Sequence, residues 1–143
     1  MAVVCVLARD WTIEANAGAG LKEVKGLDTL TFSDDDTKAD LTKFEDEGNE
    51  AHLVAARGMT IRLAGKFLED LSSGARDEGQ NAIETLAAVI GYGSVAAFRL
   101  TRPSGKYAEF AGTVKMGDIG GGNNDPTSWN CEITRTGAMG SWT

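Results

Sequence analysis

The chain has 143 residues, 42% hydrophobic and 24% charged, with a formal net charge of −7, two cysteines and one histidine. That length suits one globular domain with a real core, and the composition is far from that of disordered chains. Clustered Lys and Arg, which phosphate binding needs, are missing, and no apolar run approaches the ~18 residues of a membrane span.

In chain order, Ala2–Ala8 is an apolar run that fits a strand. It fits both a strand in the barrel of its own subunit and one paired with a neighbour; the first is favoured, since an exposed apolar edge invites aggregation. The start lacks a basic region and is followed by Arg9 and Asp10, so no secretory leader is expected. Trp11, Ile13 and Ala15 alternate with Thr12, Glu14 and Asn16, the period of a half-buried strand. Thr29–Phe32 reads as another. Between Ser33 and Glu50 lie eight carboxylates and two lysines, while the rest of the chain holds 13 acids and 12 bases. This stretch, 33–50, has no convincing period and reads as a long acidic loop, beyond ordinary connection length. Ala51–Ala56 is a strand, and so is the alternation of Met59, Ile61 and Leu63. The period then changes to 3.6: Ile83, Leu86, Ala87 and Ile90 predict one amphipathic helix at about 76–90. Asp77 and Gln80 resemble a capping pair, and Gly91 suits the left-handed C-terminal position. Val95–Thr101 and Lys106–Met116 are strands joined by the turn residues Arg102-Pro103-Ser104-Gly105. The Gly-rich 117–126 loop follows, and Trp129, Cys131 and Ile133 mark the last strand. Cys5 and Cys131 both fall in strand-like stretches and read as reduced, buried thiols. The expectation is a single domain over 1–143, mainly β: a β-sandwich or barrel of about seven strands with one flanking α-helix.

Enzyme patterns fit poorly, and no catalytic, cofactor or metal residue is assigned. His52, the only histidine, sits in an alternating strand pattern, so any Ser-His-Asp arrangement depends on it alone. Asp34 and Asp36 begin like a calcium loop, but Lys38 replaces the next ligand and Ala39 the required glycine. Gly18-Ala19-Gly20 continues to Glu23, which breaks the dinucleotide fingerprint. Glu69 and Asp70 read as a charged turn. Long polar appendages on a β domain point instead to self-assembly.

Several stretches, in this order, resemble the major tail tube proteins of long-tailed bacteriophages. They are Gly26–Phe32, Gly58–Gly65, Gly74–Gln80, Phe98–Gly105 and Gly121–Trp129; the likeness runs from about Gly26 to Gly137. The resemblance implies a tail-tube fold shared with contractile tails and type VI secretion, and a structural virion protein rather than an enzyme. Hexameric rings of the chain would stack into a hollow tube around a tape-measure protein, with tail-tip and tail-terminator proteins as further partners. DNA would pass through the lumen without specific binding, and the tail would be assembled in the host cytoplasm. The inter-ring role would fall to the acidic stretch: Asp34, Asp35, Asp36, Asp40, Leu41, Phe44, Glu45, Asp46 and Glu47. Leu41 and Phe44 would be its apolar anchors, either on the next ring or on their own subunit. Thr60, Arg62, Thr113 and Lys115 are candidates to face the lumen, where a wall that does not hold phosphate favours passage. Two other readings stay open. One is the tube protein of a contractile or secretion apparatus; the other is a small β-barrel binding module that uses His52 and the acidic loop.

Overall fold

The computed structural model describes residues 3–40 and 52–143. Seven strands form one antiparallel sheet: β1 (Thr12–Asn16), β2 (Leu21–Glu23), β3 (Leu27–Asp40), β4 (His52–Lys66), β5 (Ala96–Thr101), β6 (Tyr107–Met116) and β7 (Ser128–Thr136). Their spatial order is β2-β1-β5-β6-β7-β4-β3. One helix, α1 (Glu78–Ala87), packs against β1, β2 and β6. The mainly β reading therefore stands, and the barrel-like shape takes a definite form. Ile13 and Ala15, Phe98 and Leu100, Phe110, Trp129 to Ile133 at alternate positions, and Ile61 and Leu63 all bury one face of the sheet. A sheet with one apolar face must cover it, and this one curls. Trp11, just before β1, meets Phe32 of β3 with ring centroids 5.6 Å apart, and Trp142 meets Trp11 edge-on at 6.3 Å. Among the described residues the hydrogen-bonded ladder does not close, and β2 and β3 are its edge strands.

Helix α1 covers the core with Ala82, Ile83 and Leu86. The Asp77 carboxylate caps it, accepting from Gln80 N at 3.1 Å and from Lys25 N at 3.2 Å. Gln80 does not complete a capping box. Its fully buried carboxamide donates to Lys25 O (2.9 Å) and Lys66 O (2.7 Å) and accepts from Leu68 N (3.2 Å) and the Arg76 guanidinium (3.3 Å). It thus ties the helix to the β2–β3 connection and to the end of β4. At Gly79 the helix backbone lies so close to Glu23 O and Val24 Cα that a Cβ would overlap them. The helix ends at Ala87, short of the predicted 90, and Ile90 is solvent-exposed rather than part of the apolar stripe. Gly91 does take φ 84°, but it opens a 3-10 turn over Gly91–Ser94, while Ala88 caps α1.

Three expectations are corrected. Ser33–Asp40 is not a loop: it continues β3 and pairs with β4 from Asp40↔His52 through Ser33↔Thr60. Residues 33–38 are all exposed, so neither face of this stretch demands apolar alternation and the strand leaves no period in the sequence. The separate strands at 51–56 and 59–64 are one strand, β4, since Arg57 and Gly58 lie in register opposite Asp36 and Asp35. Val3–Leu7 forms no strand in its own sheet; it is irregular and exposed, and so is Cys5, whereas Cys131 is buried. The short β2 carries too few residues to show a period.

Candidate assembly surfaces

The face of the sheet opposite the core is polar, and its residues meet across the strands in rows. Arg62 of β4, Glu132 of β7 and Lys115 of β6 form one row, with Arg62 3.7 Å from the Glu132 carboxylate. Thr60, Thr134 and Thr113 form the next. All four residues expected at a lumen thus share one face, although they come from strands far apart in sequence. Thr60 is nonetheless buried, because Asp35 lies over it and accepts from its hydroxyl at 2.6 Å. Farther across, Arg99 of β5 stands between Glu14 and Glu109, 2.6 Å from the latter and 4.0 Å from the former. The Glu109 hydrogen bond pushes its guanidinium above its ordinary value, and the cation also lies 4.3 Å over the Tyr107 ring. The face alternates in sign instead of forming the single-sign patch that would retain phosphate.

The second feature is a ribbon. β7 pairs with β4 only from Thr60 to Lys66, so Asp34–Asp40 of β3 and His52–Met59 of β4 pair with each other alone, and beyond Met59, which is buried in the core, they project past the body. Strand alternation sets Asp35 on the polar face and Asp34 and Asp36 on the other, with Asp36 opposite Arg57. The three carboxylates therefore diverge and cannot converge on one ion as a calcium loop requires. Among the described residues no group of three or more His, Cys, Asp or Glu is placed to hold a metal. Asp40 pairs with His52 at the last described rung. Leu41, Phe44, Glu45, Asp46 and Glu47 lie outside the described residues. No local signal in the sequence marks the ribbon.

A third surface lies where the curled sheet fails to close. Val6, Ala8, Trp11, Leu30 and Phe32 line an apolar hollow of about 230 Å³ beside the outer edge of β3. Trp142 shields part of this end, held by Arg102 at 4.3 Å over its ring and by backbone bonds of Gly140 and Thr143 to Glu109 and Tyr107 of β6.

No protein-family model matches the chain, and no curated protein does. Solved structures do. A chain from the tail of an empty gene transfer agent particle, determined by helical refinement with C6 symmetry, superposes with a TM-score of 0.75 at 20% identity, covering 97% of this chain and 99% of that one. The chain has the fold of a phage-type tail protein. A chain of the native gene transfer agent virion gives 0.69 at 22% identity, over 97% and 99% of the two chains. A chain of the six-fold symmetrised baseplate of the anti-feeding prophage gives 0.55 at 10%, over 97% and 95%. The resemblance drawn from Gly26 to Gly137 thus extends, as a fold, over nearly the whole tail-type domain. No helix among the described residues is long and apolar enough to cross a membrane.

Proposed function

We propose that the protein is a non-catalytic structural subunit of a phage-type tail, forming hexameric rings that stack into a hollow tube. The observation that carries this reading is the β3–β4 ribbon. A two-stranded ribbon is marginal in water and exposes unpaired backbone along both edges, so it is best explained by pairing with other copies. The C6-symmetric, helically refined tail that holds a chain of this fold supports the same reading. In such a tube the polar face, with Arg62, Thr113 and Lys115, lines the lumen, and Asp35 covers Thr60 there. Its alternating charge lets DNA pass without being held. The acidic stretch 33–50 reaches the adjacent ring, with Leu41 and Phe44 as its apolar anchors. A tape-measure protein inside and tail-tip and terminator proteins at the ends complete the assembly in the virion, built in the host cytoplasm. Electron microscopy of the purified chain over a concentration series, with sedimentation in parallel, tests this. Rings or tubes with six-fold symmetry are expected. A chain that remains a monomer even with its tail-tip complex overturns the reading. The likeness to a baseplate chain of the anti-feeding prophage favours a second one, the tube of a contractile or secretion-type apparatus; sheath protein binding to the isolated tubes would distinguish it.

A further inference from the structure

We infer that Val3–Leu7 of one copy adds as a strand to the outer edge of β3 in a neighbouring copy, near Phe32–Asp36. The inference rests on the self-assembly reading above and names a contact within it. Val3, Val4, Val6 and Leu7 are 95%, 73%, 55% and 52% exposed, and Cys5 between them is exposed too. With three β-branched valines among five residues, the run has high strand propensity, and it has no partner in its own sheet among the described residues. Among the described residues β3 is an edge strand with no neighbour on its outer side, where its outward N–H and C=O groups can pair with an added strand. The two features match in size and chemistry. Five extended residues span roughly 17 Å, five positions along β3. The hollow beside that edge is lined by Trp11, Leu30 and Phe32 and, in the isolated subunit, by the chain's own Val6 and Ala8; once Val3–Leu7 is given to a neighbour it can receive alternate side chains of an incoming strand, and Phe32 is 47% exposed there.

Charge selects the occupant. Asp34, Asp35 and Asp36 protect the edge from indiscriminate pairing, as charged edge residues do, whereas residues 3–9 carry a single charge, the base Arg9. The area supports a second copy over a foreign partner. One five-residue segment falls well short of the ~800 Å² per side of a stable pairwise complex, but in a ring or stack each copy gives one such contact and receives one. Many weak contacts then add up.

The test uses the full chain. Hydrogen exchange is compared between subunits and assembled particles, and particle formation is compared between the parent, a Val4→Asp/Val6→Asp variant and a Val4→Ile/Val6→Ile variant. The expected result is at least tenfold slower exchange in particles at both residues 3–7 and Phe32–Asp36. The aspartate pair should need at least tenfold more protein to assemble, with an unchanged subunit melting curve, while the isoleucine pair assembles like the parent. Particles in which either segment exchanges at the subunit rate, or parental assembly by the aspartate pair, overturn the strand addition and leave self-assembly standing. Failure of the parent to form any particle even with its tail-tip complex overturns both.

Discussion

The carboxamide of Gln80 uses both of its N–H donors and its oxygen inside the protein, with no exposure to water. A buried polar group of this kind is stabilising only while every partner is present. Gln80→Ala leaves Lys25 O, Lys66 O and Leu68 N without their partner, and urea denaturation is expected to show a loss of about 3 kcal/mol. The pairing of Asp77 with Gln80 was legible as a helix start, yet the main work of Gln80 was not, because its partners lie up to 55 residues away. Cysteine behaviour is likewise decided by place. Burial pushes the Cys131 thiol up to about 12 from an ordinary 9.0. A thiol reagent at pH 8 should therefore titrate only Cys5 in the native subunit and both cysteines after unfolding. The raised pKa also fixes a sign: the contribution of the neutral thiol to stability is complete below about pH 9 and declines as the pH rises toward about 12, since the unfolded chain ionises first. Denaturation of Cys131→Ala over that range should lack this part of the decline.

At the scale of elements, local chemistry and tertiary contact disagree at instructive places. Gly79 lies in the first turn of α1, where alanine is the better helix former by about 1 kcal/mol. Its backbone nevertheless presses on Glu23 and Val24 of the β2 end, leaving no room for a Cβ. Gly79→Ala is expected to lower stability by about 1–3 kcal/mol, measured by chemical denaturation, because close packing outweighs propensity. The strands with one buried face, such as Thr12–Asn16 and Ser128–Thr136, were legible from their alternation. The outer part of β3 was not, because a ribbon with both faces in water can carry Asp-Asp-Asp and remain paired through its backbone. Arg76 shows the converse: a basic residue in a loop-like stretch is held by Glu84 at 2.7 Å, by Leu68 O at 3.0 Å and over the Phe67 ring at 3.8 Å.

For the whole molecule, body and ribbon should separate energetically. Among the described residues the body's apolar core includes none from Ser33–Lys38, so the core's packing is not built on this stretch of the ribbon. Replacing residues 36–57 with Asn-Gly, a tight hairpin turn, should leave a subunit that melts near the parent by circular dichroism. That subunit should form no rings or tubes in electron micrographs. By itself the sequence determined a mainly β fold, the capped helix, most of the core and a net negative charge, since burial of one face and helix capping leave local periodic marks. Tertiary structure alone decided that Arg62, Thr113 and Lys115 share a face, that the acidic run is a paired strand, and that Val3–Leu7 stays outside its own sheet. These depend on strand order and register between residues distant along the chain, which no local pattern encodes.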